Sequence, residues 1–188
     1  MFKSLCNRVN DFQTQFKERG IILDHVNVGG GLGVNYSAPN EASIPNFESF
    51  FQVFKDFLKV QPNQEVHFEL GRSVVAQCGS LISRVLYIKE GIKTNFAILD
   101  AGMTELIRPA LYQSFHKIEN LSQLGEANAK KYDVVGPICE SSDCFGKAID
   151  LPETKRGDLI AIRSAGAYGE VMSSFYNLRD RAKAYYVS

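Results

Sequence analysis

Four glycines, Gly29, Gly30, Gly31 and Gly33, lie within five consecutive positions, directly after the apolar run 21–28. Glycine reaches positive φ at no steric cost and has no Cβ to hold a neighbour away. A strand that ends in such a bend turns several N–H groups into one concavity suited to an anion. Two readings are open at this point: a phosphate cradle, or a tight strand-to-helix turn that binds nothing.

The flanks say what kind of fold carries the bend. Phe2, Leu5, Cys6, Val9, Phe12 and Phe16 recur near helical spacing, with Gly20 as a stop. The run 21–28 then predicts a buried parallel strand. After a polar loop through Pro39 and Pro45, Asn46 can cap a second helix with the stripe Phe47, Phe50, Phe51, Phe54, Phe57 and Leu58. Pro62-Asn63 ends it, and 65–70 predicts a second strand. Helix, strand, helix, strand is the repeat of a parallel α/β layer or barrel.

From Ser73 onward the pattern changes to β-branched and alternating segments. The segments 74–89, 95–100, 131–135, 158–163 and 183–187 are candidate strands, separated by turn signals such as Gly136-Pro137 and Arg156-Gly157-Asp158. The expected architecture is α/β plus β: residues 1–75 as the last two βα units of a TIM barrel, residues 76–188 as a mainly antiparallel β-domain. Two βα units cannot close a barrel and leave exposed sheet edges. The expectation is therefore that this chain is the C-terminal part of something longer.

Composition removes several classes of function. Lys+Arg and Asp+Glu both number 21 in 188 residues, so no basic excess points to nucleic acid or a membrane surface. No apolar run nears the about 18 residues of a membrane-spanning helix, and the first 20 residues are too polar for a secretory signal. Cys6, Cys78, Cys139 and Cys144 fit no paired metal-ligand spacing, so no metal site is expected. Free thiols fit a cytoplasmic protein.

Five short segments carry chemistry-bearing residues. Glu69-Leu70-Gly71-Arg72 ends the second strand; its carboxylate and guanidinium serve opposite ends of one ligand or pair on the surface. Arg108 and Tyr112 stand four apart in a segment expected to be irregular, and an arginine there can hold a carboxylate bidentately. Cys139 sits beside Glu140 and near Asp143, either as an acid or as a packed small hydrophobe. The turn 164–169 presents Tyr168, and 172–177 ends in Phe175-Tyr176-Asn177.

Taken in order, GGGLG, ELGR, DAGM, IRPALY, GPICESSD and GAYG resemble the C-terminal half of the diaminopimelate decarboxylase family. These are pyridoxal-phosphate (PLP) enzymes in which a TIM barrel is joined to a β-domain. CESSD and RPALY are the most specific segments, and the resemblance runs from about Leu23 to the end. It implies that Gly29, Gly30, Gly31 and Gly71 hold the cofactor phosphate and that Glu69 lies by the pyridine nitrogen, keeping the ring an electron sink. It implies that Arg72 and Tyr168 approach both cofactor and substrate. Arg108 and Tyr112 would engage the distal carboxylate with Arg72. Cys139 would be the catalytic proton donor and Glu140 a contact to the distal amino group, both given in trans across a homodimer.

Two features depart from the family pattern. Leu70 stands where the family usually has proline. The Schiff-base lysine and the histidine that stacks on the cofactor belong to early barrel strands, for which this chain has no corresponding segment. Two other expectations stand beside meso-diaminopimelate decarboxylation: an ornithine, arginine or carboxynorspermidine decarboxylase of the same fold, and a non-catalytic, dimer-forming fragment.

Overall fold

The computed structural model describes residues 1–42, 44–123 and 128–187. They fall into two compact units: Met1–Val34 with Ile44–Val74, and Asn35–Ser43 with Val75–Ser188. No helix among the described residues is long and apolar enough to cross a membrane.

The first unit alternates helix and strand. Helix α1 (Phe2–Glu18) and helix α2 (Phe47–Phe57) pack on a pair of parallel strands, β1 (His25–Asn27) and β2 (Glu65–His67). Asn46 caps α2: its Oδ1 accepts from the Ser49 N–H at 2.9 Å, satisfying one orphan donor of the first turn. The core is aromatic. Phe2, Phe50, Phe51, Phe54 and Phe68 meet edge-on or tilted, with Phe51 and Phe68 centroids 4.9 Å apart. Phe2, Leu5, Cys6 and Val9 join this core as expected, but Phe12 and Phe16 do not and are 53% and 38% exposed. Gln13 is buried in their place and donates to the Lys59 carbonyl at 3.0 Å. Advancing 100° per residue puts position 13 near the centre of the buried face and position 12 off it.

The second unit is a six-stranded mixed sheet. Its strands are β3 (Leu81–Glu90), β4 (Asn95–Leu99), β5 (Ile118–Asn120), β6 (Lys130–Val135), β7 (Cys144–Leu151) and β8 (Leu159–Ile162). The order is β5-β8-β3-β4-β6-β7, antiparallel except where β4 runs parallel to β6. The edge strands β5 and β7 also contact each other, so the sheet nearly closes. Val85, Leu99, Leu106, Val134, Ile160 and Ile162 form the centre of its core.

Two strand expectations and one loop expectation change. Residues 74–78 are helical, as a short helix α3 (Arg72–Val75) and a 3₁₀ turn (Ala76–Cys78). Ser73 and Ala76 face inward there, leaving the β-branched Val74 and Val75 54% and 44% exposed. Residues 183–187 form no strand; Tyr185, Tyr186 and Val187 are at least 85% exposed and bury nothing. The supposedly irregular segment at Arg108 is a helix, α4 (Arg108–Tyr112), with proline in its first turn.

Candidate active site

In the first unit the glycine bend and the acidic strand end come together. Val28 donates to the His67 carbonyl at 3.1 Å, and Glu69 donates from its N–H to the Gly29 carbonyl at 2.9 Å. The parallel pairing of β1 and β2 thus continues into both loops. Gly29 and Gly31 have φ of +71° and +101°, which only glycine adopts without strain. At Gly30 the constraint is space, because a Cβ would overlap the Glu69 carbonyl.

Asn27 joins the two loops. Its Oδ1 accepts from the Gly29 N–H at 2.8 Å and its Nδ2 donates to Glu69 Oε1 at 2.8 Å. One amide both shapes the bend and aims the carboxylate. Strand alternation puts Asn27 on the face opposite Val26 and Val28, but nothing in the sequence pairs it with a residue 42 positions away. Gly71 accepts from the Val74 N–H at 3.1 Å, and Arg72 opens α3 with its side chain exposed.

In the second unit, Arg108 is 4% exposed. Its Nη1 donates to the Tyr36 hydroxyl at 2.9 Å and lies 3.5 Å from the Ala167 carbonyl. The guanidinium lies 5.4 Å from the Tyr36 ring centre and 5.9 Å from that of Tyr168. Its Nε has no hydrogen-bond partner, and no carboxylate among the described residues pairs with it. A buried guanidinium ordinarily has an anionic partner; this one has two tyrosines. His116 completes the group, edge-on to Tyr36 at 5.0 Å with Nδ1 against the Arg163 carbonyl at 2.9 Å. Burial, opposed by that hydrogen bond and aided by the Arg108 charge, holds His116 below the usual imidazole range. Tyr168 reaches Arg108 from a left-handed backbone position, φ +66°. Tyr112 lies one helical turn past Arg108 on the same short helix and is 60% exposed.

Cys139 and Glu140 form a second group in this unit. Both lie exposed in the loop between β6 and β7, so Cys139 is not a packed hydrophobe. The Tyr176 hydroxyl donates to Glu140 Oε1 at 2.6 Å. That bond and the carboxylate charge raise the phenol above its ordinary value. Asp143 holds the loop from within. It is 3% exposed; Oδ1 accepts from the Met103 N–H and Oδ2 from the Ile138 N–H, each at 2.7 Å. Gly102 and Gly136 press on the same carboxylate, and a Cβ at either position would collide with it. Burial, only partly opposed by the two N–H groups, raises Asp143 above the usual carboxylate range. Asp143 was legible only as an acid near Cys139, and Tyr36 and His116 carried no signal at all.

The near-closed sheet and the strand-end glycine loops define the class. The chain matches the family "Pyridoxal-dependent decarboxylase, C-terminal sheet domain" over residues 11–166, and it belongs to that family. The diaminopimelate decarboxylase of Bacteroides thetaiotaomicron is 62% identical over 184 residues, which cover 98% of this chain and 47% of that protein. That of Haemophilus influenzae is 42% identical over 180 residues, covering 96% and 42%. The crystal structure of diaminopimelate decarboxylase from Helicobacter pylori complexed with L-lysine is 40% identical, with a TM-score of 0.76 over 90% of this chain and 41% of that one. The chain therefore spans under half the length of the curated relatives it matches.

Proposed function

We propose that this chain serves a PLP-dependent decarboxylase that converts meso-diaminopimelate to L-lysine and CO₂. The observation that carries this is Arg108: a buried guanidinium that pairs with no carboxylate among the described residues suits a substrate that brings one. Among decarboxylases of this fold, diaminopimelate differs from ornithine in its distal carboxylate. The relatives named above support the same substrate.

The residues present fit the cofactor: a bend of consecutive glycines with two positive φ angles, beside a carboxylate held by an amide. Bound there, PLP supplies an electron sink for the pair released as CO₂ leaves. The N–H groups of Gly30, Gly31 and Gly71 would hold the phosphate, while Gly29, whose own N–H is held by Asn27, would shape the bend around it, and Glu69 would hold the proton of the pyridine nitrogen. Asn27 keeps Glu69 aimed. Arg72, Arg108 and Tyr112 bind the distal carboxylate, with Tyr168 closing over cofactor and substrate. Cys139 delivers a proton to the carbon that has lost CO₂, and Glu140, steadied by Tyr176, binds the distal ammonium.

In this reading residues 1–75 belong to a TIM barrel whose remaining strands supply the Schiff-base lysine. Residues 76–188 complete the site across a homodimer in the cytoplasm. The test is a chimera in which this chain replaces the matching segment of the Bacteroides relative. CO₂ release from meso-diaminopimelate, with little from L-ornithine, supports the proposal. Preference for ornithine or arginine, or no turnover by a folded chimera that binds PLP, contradicts it.

A further inference from the structure

The face of β1 and β2 opposite the phenylalanine core carries a cluster that the decarboxylation does not use. His25 and Glu65 are register partners on the two parallel strands, and His67 lies two residues beyond Glu65. Alternation sends Val26 and Val66 into the core and these three to the other face. His25 Nδ1 lies 3.0 Å from His67 Nε2. Glu65 Oε2 lies 3.5 Å from the former and 3.7 Å from the latter. The imidazoles are tilted by 42°, so ring edges rather than ring faces converge. One proton can bridge the two nitrogens, but Glu65 then sits beyond ordinary hydrogen-bond distance of both.

We propose that His25, Glu65 and His67 bind a divalent transition-metal ion of the zinc type, through Nδ1, Oε2 and Nε2, with water as the fourth ligand. Tetrahedral coordination at about 2.0–2.1 Å places ligand atoms about 3.3–3.4 Å apart. The three measured separations bracket that spacing. Octahedral edges at the same bond lengths are about 2.8–3.0 Å, which only the histidine pair matches. Two imidazoles and one carboxylate also suit zinc better than calcium or magnesium, which take oxygen ligands. The ion would tie β1 to β2 just before the Asn27–Glu69 hydrogen bond, stiffening the strand pair that presents the glycine bend. The four cysteines play no part in this site.

The test uses the chelator-stripped chain, titrated with Zn²⁺ against a chromophoric chelator, and with Co²⁺ followed by its visible d–d absorption. The expected result is one equivalent bound with a tetrahedral cobalt spectrum free of thiolate charge transfer. His25→Gln, Glu65→Gln and His67→Gln should each weaken binding at least about tenfold. All three side chains are exposed, so the variants keep the fold, and far-UV circular dichroism checks this. The proposal is overturned if no zinc binds tighter than millimolar. It is equally overturned if binding survives in the histidine variants and is lost instead on replacing the exposed Cys78 and Cys139.

Discussion

Replacing Asp143 by asparagine keeps its volume and changes one atom's role. The wild-type carboxylate accepts two backbone N–H groups, from Met103 and Ile138, each at 2.7 Å. An asparagine can accept only one; its NH₂ then opposes the other donor in a site that is 3% exposed. A buried N–H left without an acceptor costs about 1–3 kcal/mol, and that is the expected loss of stability. Because burial raises the Asp143 carboxyl, the folded state keeps this proton to higher pH than the unfolded state, whose reference value is 3.8. Its contribution is therefore greatest below that value and falls as pH rises through the raised one. The gap between wild type and variant should narrow over the same window. Urea unfolding at several pH values measures it, with an unchanged m-value showing that the unfolded surface is the same. Hydrogen exchange should also quicken in residues 136–143. A loss under about 0.5 kcal/mol, or a gap that widens with pH, would refute the reasoning.

Three further outcomes follow from the geometry. Gly30→Ala forces a methyl group into the Glu69 carbonyl and should destabilise the first unit by about 1–3 kcal/mol in urea unfolding, with weaker PLP binding; retention of both would contradict the close approach. In Glu140→Gln, the Tyr176 phenol should titrate lower than in wild type, seen as an ultraviolet tyrosinate difference; no change would dissociate the two residues. If the Schiff-base lysine lies in the barrel strands proposed above to complete the site, borohydride treatment of the chain with PLP should leave no stoichiometric pyridoxyl adduct by mass spectrometry; a single modified lysine would contradict that reading.

Local signals made the first unit readable. Apolar spacing and the Asn46 cap announce α1 and α2, and the glycines mark where β1 must stop. The strands are shorter than their apolar runs: β1 starts only at His25, with Ile21 and Ile22 exposed rather than buried, and residues 29–31 and 68–71 continue as loops. In the second unit β7 carries no readable alternation: it is an edge strand with exposed Lys147 and Asp150 and a positive φ at Ala148. Strand β5 spans only Ile118–Asn120, too few residues for a period to show. The site divides in the same way. Motif order announced Gly29–Gly31, Glu69, Arg108 and Cys139. Asn27, Tyr36 and Asp143 act on atoms 40 or more positions away, and no local pattern encodes such contacts.

The central claim is that the buried Arg108 guanidinium awaits a substrate carboxylate. In the chimera with the Bacteroides relative, Arg108→Gln should lower kcat/KM for meso-diaminopimelate by about 10- to 150-fold, the equivalent of about 1.5–3 kcal/mol for a hydrogen bond to a charged group. Most of the loss should fall in KM, while the Kd for PLP stays unchanged. A folded Arg108→Gln enzyme with kcat/KM within threefold of the parent would contradict the account.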